Sequence, residues 1–415
     1  MALEPTKTFT LAHAHLFARR TMFGATKEQL EQLVEQGLEA SLEKLFGYGY
    51  GLDLHPDNPF KPTASMKDGE QIQLTQGRWL FEMIHSKQPF REKLALFWSN
   101  HFVVSVDKVR KAAPLLHYLE TLYTHGLGSF RDLTLAVSQT PAMLRYLDND
   151  RNRKAHPNEN FARELLELFT LGIGNYDEAD VAEAARAFTG WTYKNFDSNP
   201  TFFFDKGQHD TGSKTVLGQT GPLTGKAVIT RCAEHEATPY FVAQKIWRTF
   251  VASEIDKPSV LAIAQTFQES QGELRVVFRE LFSSQVFYES AGRLVKSPLD
   301  YVVGTLRSLG GSSLEKTDYD LLRATLLSLG QVPLAPPNVA GWSGGRSWIS
   351  DSTLLARINW ARKLVRIDRL YPQQANTVDL NLALFGSSQS TLDLETLAPD
   401  EHVLLSLVSP EYMVS

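Results

Sequence analysis

Apolar residues recur along most of this chain with the three- and four-residue spacing of an amphipathic α-helix. Thr26 stands just before one such pattern and is expected to cap it. The spacing predicts helices over residues 10–23, 27–46, 73–85, 90–103, 108–125, 129–138, 158–171, 178–188, 226–236, 239–251, 257–270, 273–284, 298–309, 318–329 and 352–367.

The pattern changes in three places. Residues 47–69 are rich in Pro, Asp and Gly, which predicts an irregular excursion. At residues 192–224, short β-type runs alternate with Asn-Pro, Lys-Gly and Thr-Gly turns, which predicts a β-hairpin excursion. Residues 376–415 are weakly patterned. The sequence therefore predicts a mainly α fold, with one large multi-helix domain over residues 1–375 that carries a small β-hairpin insertion, and a C-terminal tail over residues 376–415 that packs on it.

A polar stripe lies on the helix predicted over residues 158–171. At about 100° per residue, Asn160, Glu164 and Glu167 fall within roughly 60° of one another, with Arg163 at the edge of the stripe. One interpretation is a solvated face, on which Arg163 and Glu167 form an i,i+4 pair. The other interpretation is a polar site that is buried in a helical core. The stripe contains no lysine, so we expect the helix to be largely buried, with Glu164 paired to Arg or His.

Glycines and a capping aspartate mark a helical hairpin around this stripe. Gly172 and Gly174 are expected to close the first helix tightly. Asp177 is placed to cap a second helix over residues 178–188, which stops at Gly190.

The run PNENFARELLELFTLGIGNYDEADVAEAARAFTGWT, residues 157–192, resembles the signature of the bacterial domain-of-unknown-function family 1800. Six further segments match the same family in order. They are HLFARRTMFGA (15–25), REKLALFWSNHF (91–102), LRYLDNDRN (144–152), HDTGSKTVLG (209–218), KSPLDYVVGTLRSLG (296–310) and PPNVAGWSGGRSWI (336–349).

The resemblance implies a mostly helical protein of bacterial origin and implies no activity. Members of the family are often encoded beside a second uncharacterised family that resembles sulfatases and alkaline phosphatases, which makes a sulfatase-like protein a candidate partner. Ser99 and Phe169 stand where many members have histidine, so the resemblance does not extend to a metal site built on those two positions.

Composition narrows the function classes. The 415 residues are 43% hydrophobic and 21% charged, as in globular proteins. A net charge of −5 and the lack of a basic arm argue against nucleic acid as a partner. The single cysteine, Cys232, excludes an internal disulfide framework and is expected to pack as a small apolar residue.

No apolar run reaches the ~18–20 residues of a transmembrane helix. The N-terminus lacks the apolar core of a signal peptide. We therefore expect a cytoplasmic protein as given, or an exported, periplasmic one if the sequence has been trimmed of a signal.

Three regions outside the stripe contain residues that are candidates for catalysis or binding. His101 lies among aromatic residues. It is either a core residue whose hydrogen bonds are satisfied within the protein, or a proton shuttle or metal ligand. Asp148 precedes the predicted helix, either in a solvated turn or at the mouth of the site that Glu164 faces. His209 and Asp210 lie on the β-excursion, in a surface hairpin or a lid that completes a site.

The loop GWSGGRSW, residues 341–348, combines glycine with two tryptophans and one arginine. Trp342 either packs in the hydrophobic core or stacks on a sugar or aromatic ring of a ligand. Arg346 suits a carboxylate, sulfate or phosphate. The sequence contains no GxSxG elbow, phosphate loop or HExxH motif.

The leading hypothesis is an enzyme, a hydrolase or transferase that acts on a small polar molecule or saccharide such as a glycan. Glu164 is the expected acid/base group, with Glu167 or Asp148 as the second carboxylate and His101 as the residue that tunes their pKa. The residues expected to bind substrate are Arg163, Asn160, Asn158, His209, Asp210, Trp342 and Arg346.

Two alternatives belong to other classes. In the first, the protein is a non-catalytic binding or assembly partner of a sulfatase-like protein, and the polar stripe is a structural network. In the second, it is a metal protein that uses His101 with Glu164 and Glu167. No sequence motif identifies a cofactor. An open pocket over Glu164 would favour the enzyme, and a closed, fully paired network would favour the structural alternative.

Overall fold

Helices make up most of the regular structure, and the strands of the described residues form two short hairpins. The computed structural model describes residues 2–47, 55–311, 314–367, 377–387 and 397–415. The predicted mainly α fold with a small β-hairpin insertion is confirmed.

The first half of the chain is helical up to the hairpins. Its helices are α1 (Leu11–Thr21), α2 (Lys27–Phe46), α3 (Asp68–His85), α4 (Pro89–His101), α5 (Ala112–His125), α6 (Phe130–Ser138), α7 (Pro141–Tyr146), α8 (Asn160–Glu164) and α9 (Glu178–Ala187). A π-helical turn, Leu165–Thr170, continues α8.

The helices resume after the hairpins. They are α10 (Gly225–Ala233), α11 (Thr238–Phe250), α12 (Lys257–Glu269), α13 (Leu274–Ser283), α14 (Gln285–Tyr288), α15 (Pro298–Ser308), α16 (Lys316–Leu329), α17 (Asp351–Leu364), α18 (Thr377–Phe385), α19 (Pro399–Val408) and α20 (Pro410–Met413). None of those described is both long enough and apolar enough to span a bilayer.

Capping residues explain why several predicted helix ends are confirmed. Thr26 accepts a hydrogen bond from the Gln29 amide, and the Gln29 side chain bonds back to the Thr26 amide, so α2 begins at Lys27 as predicted. Asp177 and Asp180 form the same reciprocal pair at the start of α9. The prediction omits α7, α14 and α20, which are too short to show a helical period, and it also omits α18 and α19 in the weakly patterned C-terminal stretch. The irregular stretch predicted over residues 47–69 falls partly outside the described residues.

The predicted β-excursion consists of two antiparallel hairpins. Strand β1 (Trp191–Lys194) pairs with β2 (Thr201–Phe204), with Trp191 opposite Phe204. Strand β3 (Lys214–Val216) pairs with β4 (Gln219–Gly221). Each hairpin has only two strands and depends on the helices for stability, and β3 contacts α9.

Aromatic rings fill the core between α2, α4, α11 and α13. Phe46 and Phe90 meet edge to face with ring centroids 5.6 Å apart, and Phe250 and Phe278 do so at 5.5 Å. Such pairs add about 0.5–1.5 kcal/mol each beyond the burial of their area. This core holds α4 firmly beside the helices that carry the basic residues described below.

A close backbone approach joins the end of α1 to α15. A Cβ atom at Gly304 would lie 2.6 Å from the carbonyl oxygen of Phe23, and one at Gly24 would lie 2.8 Å from that of Gly304. Only glycine fits at such a distance. As a result, the residues just after α1 and the middle of α15 are held next to each other.

Candidate functional site

The helix that carries the polar stripe changes its hydrogen-bonding pattern halfway along. Residues 160–164 are α-helical, and residues 165–170 form a π-helical turn. At its end the amide of Leu171 donates to the carbonyl of Leu166 at 2.9 Å, five residues earlier. A π-turn has more residues per turn than an α-helix, so the 100° wheel does not hold beyond Glu164.

Glu164 and Glu167 are both partly buried, but their surroundings differ. The Tyr176 hydroxyl donates to Glu167 at 2.8 Å. Glu164 has no hydrogen bond or ion pair to any residue that the structure describes. The prediction that Glu164 pairs with an Arg or a His is therefore wrong. Burial raises the pKa of Glu164, and the Glu167 carboxylate raises it further, while Arg163 lowers it.

Arg163 points away from the two carboxylates and towards α9. Its Nη1 and Nη2 atoms donate to the two carboxylate oxygens of Glu178 at 2.8 and 2.7 Å, and Nη2 also reaches Glu159 at 3.3 Å. This bidentate pair lies at the surface. The i,i+4 pair that forms is therefore with Glu159, and not with Glu167 as the wheel suggested.

The two asparagines at the start of this helix have a structural role. The Asn158 side chain accepts from the Asn160 amide at 3.0 Å, and the Asn158 amide donates to Asn152 at 2.9 Å. The Asn152 side chain also donates to the carbonyl of Ala185 at 2.8 Å. These contacts bind the loop before α8 to α9.

His101 is buried in an aromatic cage and does not meet the carboxylates. It is 3% exposed, and its Nε2 lies 2.9 Å from the carbonyl oxygen of Phe169. Burial, with a smaller contribution from Lys245, lowers the pKa of His101 to about 3, so the ring is neutral at pH 7. No contact joins it to Glu164 in the described part of the chain. Among those same residues, no group of three His, Cys, Asp or Glu side chains is arranged to hold a metal ion.

The remaining candidates of this region are tied into protein contacts. Asp148 adopts a left-handed conformation with φ 59° and pairs with Lys108 at 2.6 Å. Asp210 accepts from Arg186 at 2.8 Å. The His209 Nδ1 atom lies 2.9 Å from the Thr189 carbonyl. The contacts of Asp210 and His209 bind the β-excursion to the end of α9.

Glu164 is not among the residues that line the cavities of about 120, 540 and 380 Å³ found in the described structure. The polar groups around α8 and α9 are mostly satisfied by one another. Glu164 is the exception, as a carboxylate with a raised pKa and no partner in the described structure.

A different set of residues forms an open cavity of about 120 Å³, which we name the cationic cavity. It lies between α1, α4, α11, the start of α15 and the loop at residues 341–348. Its basic lining residues are Arg19, Arg20, Lys93, Arg248 and Lys296, and its acidic lining residue is Asp300. A volume of this size holds about four water molecules, or one small anion, at ~30 Å³ per water.

Asp300 is engaged with the residues beside it. It pairs with Lys93, and it accepts from the Ser297 hydroxyl at 2.8 Å. Its amide donates back to the Ser297 oxygen at 3.1 Å, which caps α15. The Asp300 carboxylate thus neutralises one of the basic groups around it.

The two arginines of α1 are anchored through backbone carbonyls. Arg20 is 2% exposed and donates to Val251 at 2.9 Å and to Ser290 at 3.0 Å. Arg19 donates to the carbonyl of Val414. The Nε atoms of both arginines are buried without a partner in the described residues. Arg20 also donates to the main-chain oxygen of Ser415, which lines the same cavity, and these oxygens together orient the guanidinium group.

Lys296 is the most isolated charged group of the cavity. It is 3% exposed, and its Nζ lies 3.1 Å from the centroid of the Tyr412 ring. Its Nζ has no hydrogen bond or ion pair to the part of the chain that the structure describes. Burial lowers the pKa of Lys296 well below its usual value; Arg19 and Arg357 lower it further, and Asp300 opposes them.

The tryptophan loop closes one side of the cavity. Asn100 accepts from the Trp342 amide at 2.7 Å and donates to the Trp342 carbonyl at 3.3 Å. Trp342 and Trp348 are both 8% exposed, and both line the cavity. The Trp342 indole nitrogen is buried with no partner in the described chain. Arg346 is exposed and does not line it.

Of the residues named from the sequence, only Trp342 belongs to the cationic cavity. Its charged lining residues were not among the sequence candidates: Arg19, Arg20, Lys93, Arg248, Lys296 and Asp300. All except Arg248 could have been found. A usable signal was present, because these residues lie in three of the segments that resemble the family, and the tryptophan loop lies in a fourth. The other three segments meet around α8 and α9.

Comparison with known proteins gives one match. The model of a family described as "Protein of unknown function (DUF1800)" matches residues 15–414. No curated protein and no solved structure matches the chain. The match covers the segments of both the cationic cavity and the α8–α9 region.

Proposed function

The chain belongs to the DUF1800 family, whose function is unknown, and we propose that it binds the anionic group of a small polar ligand in the cationic cavity. The observation that carries this proposal is an excess of positive charge. Five basic side chains line the cavity beside one acidic side chain, Asp300, so four cations remain against it even when Lys296 is neutral.

Buried charges in proteins are normally paired, because an isolated one costs several kcal/mol. Asp300 can neutralise only one cation, and it is paired with Lys93. Arg357 adds one more buried positive charge next to the residues that line the cavity. It donates to the Lys296 carbonyl at 2.9 Å. A bound carboxylate, sulfate or phosphate group would supply the missing negative charge.

Three residues of the cavity wall also carry donors that have no partner in the part of the chain that the structure describes. Trp342 Nε1 and the Nε atoms of Arg19 and Arg20 are buried without partners in the described residues. Arg248 is exposed at the cavity and has no ion pair there either. The indole rings of Trp342 and Trp348 add apolar surface beside these donors. An acidic saccharide combines the oxyanion with a ring face that suits tryptophan.

Sulfate should stabilise the protein through Arg248. Anion binding at 100 times Kd raises the free energy of unfolding by about 2.7 kcal/mol. We expect Arg248→Ala to lose most of this stabilisation, because it removes an exposed charge that lines the cavity without disturbing a buried contact. Thermal melts in sodium sulfate and in sodium chloride of equal ionic strength measure the effect.

Arg346→Ala is the matched control, since Arg346 is an exposed arginine of the tryptophan loop that lies outside the cavity. It should keep the full response to sulfate. Equal responses of wild type, Arg248→Ala and Arg346→Ala would show that sulfate acts on the protein surface in general, and the proposal would fail.

A second candidate function is the hydrolase or transferase that acts on a glycan, with Glu164 as the acid/base group. The observation that favours it is the raised pKa of a half-buried carboxylate beside Glu167. If the protein has no catalytic activity, binding of an anionic ligand is compatible with the alternative role as a partner of a sulfatase-like protein.

Glu164→Gln tests the enzyme candidate. A raised pKa in the folded state means that the carboxyl group's stabilisation is fully present below its unfolded pKa and is lost as pH rises through the folded value. Glu164→Gln should therefore melt at the same temperature as wild type, or slightly above it, at neutral pH.

On any oligosaccharide that the wild type turns over, Glu164→Gln should abolish the release of reducing ends. Arg163→Gln serves as the control, because it breaks surface pairs with Glu178 and Glu159. Turnover by Glu164→Gln at the wild-type rate would exclude the acid/base role.

A further inference from the structure

We propose that Lys296 forms an imine with the carbonyl carbon of an aldehyde or keto acid bound in the cationic cavity. This inference rests on the proposed function, because the anionic group of the ligand is what the cavity would hold. It adds a covalent step and a chemical class of ligand, a carbonyl compound that carries a carboxylate or a similar oxyanion.

The contacts of Lys296 set it apart from the other buried lysines of the described chain. Lys214 is 1% exposed, and its Nζ donates to the carbonyls of Asp210 and Gly212 at 2.6 and 2.9 Å. Lys93 is 5% exposed and pairs with Asp300. Lys296, at 3% exposure, has only the face of the Tyr412 ring beside its Nζ. It is the buried lysine of this set whose amine is not held by an acceptor.

The surroundings of Lys296 favour its neutral form, which is the nucleophilic one. Arg19 lies on one side, and Arg357 contacts the Lys296 carbonyl. Removal from water and these two positive charges together lower the pKa of the amine, and Asp300 only partly offsets them. A lysine in this position carries a free electron pair at neutral pH more often than an exposed one does.

Formation of the imine requires only the amine, the carbonyl compound and a group that carries protons between them. The Nζ electron pair attacks the carbonyl carbon, and the carbonyl oxygen takes up a proton to give a carbinolamine. The nitrogen gives up one proton at this stage and its second proton as the C=N bond forms, while the hydroxyl takes up a second proton and leaves as water. Asp300, the carboxylate that lines the same cavity, is placed to carry the proton. No oxidant or reductant is needed, and water leaves through the open side.

Glyoxylate is a suitable probe, because it joins an aldehyde to a carboxylate and is small enough for a cavity of about 120 Å³. The full-length protein is incubated with glyoxylate and cyanoborohydride at pH 7, which reduces an imine to a stable carboxymethyl-lysine. Peptide mass spectrometry then measures the modification of each lysine. Each unit by which a lysine pKa falls raises its neutral fraction about tenfold. We expect Lys296 to react at least ~10-fold faster than the exposed Lys154.

Two controls separate the covalent step from general amine reactivity. Glycolaldehyde, a neutral aldehyde of similar size, should lose most of the preference for Lys296. Sulfate should slow the labelling of Lys296 by glyoxylate and leave that of Lys154 unchanged. The unmodified wild type is sufficient for these measurements, so the test does not depend on a variant that folds.

The outcomes distinguish the two proposals. If sulfate stabilises the protein through Arg248 but Lys296 reacts no faster than Lys154, the imine is excluded and anion binding stands. If Lys296 reacts equally with glyoxylate and glycolaldehyde, and sulfate has no effect, the anion site is excluded and with it the inference. Preferential, sulfate-sensitive labelling of Lys296 by glyoxylate supports both.

Discussion

Replacing Asp300 with asparagine should lower the free energy of unfolding by about 3 kcal/mol. Removing one partner of a buried ion pair costs ~3–5 kcal/mol, and the lower end applies because the Asp300 side chain keeps 21% exposure. The substitution leaves Lys93, which is 6% exposed, without its counter-ion among the other cations of the cavity. Asparagine can still accept from Ser297, so the effect reports charge and not the cap of α15. Urea unfolding at neutral pH measures it.

Asp68→Asn is the matched control. Asp68 also pairs with a lysine, Lys111 at 2.9 Å, but it is 50% exposed, and such surface pairs contribute only ~0–1 kcal/mol. Sulfate should restore more stability to Asp300→Asn than to wild type, because the anion replaces the missing carboxylate. Equal losses in Asp300→Asn and Asp68→Asn would contradict the view that the cavity concentrates buried positive charge.

Replacing Gly341 with alanine should cost about 3 kcal/mol and abolish the response to sulfate. Gly341 has φ +81°, and a Cβ there would lie 2.3 Å from Oδ1 and 2.8 Å from the carbonyl oxygen of Asn100. The left-handed backbone costs ~1–2 kcal/mol with an L side chain, and the clash adds ~1–3 kcal/mol. Asn100 holds the Trp342 backbone on both sides, so moving it also displaces the wall of the cavity.

Gly330→Ala separates backbone strain from the clash. Gly330 has φ +86° at the end of α16, and a Cβ there would meet nothing within 4 Å. This control should lose only ~1–2 kcal/mol and keep the sulfate response. Chemical denaturation gives the stability difference, and melts with and without sulfate give the binding difference. A Gly341→Ala protein that still responds fully to sulfate would show that the tryptophan loop is not part of the anion site.

Helix ends were predictable because they depend on neighbours along the chain. Thr26 with Gln29, and Asp177 with Asp180, satisfy backbone groups within three residues. The positive φ angles of Gly172, 80°, and Gly174, 90°, follow from the same local rules. For this reason the mainly α fold and the hairpin insertion could be read from the sequence.

The prediction of the polar stripe failed where longer-range contacts compete with local ones. Arg163 could pair with a carboxylate on its own helix, but Glu178 on α9 offers both oxygens at once. The π-helical turn then shifts Glu167 towards Tyr176 and leaves Glu164 alone. A helical wheel contains neither the second helix nor the change in helical period.

The sequence by itself determined most of the helices, several of their caps and the β-excursion, since these follow from periodicity and from hydrogen bonds between near neighbours. Only the tertiary structure decided where the unpaired charge lies. Lys93 and Asp300 are 207 residues apart, and Arg19 and Val414 are 395 apart. In the sequence, each of these basic residues is most simply interpreted as part of a solvated surface. Packing removes them from water together, and their shared burial, which no local pattern encodes, makes the cavity a candidate binding site.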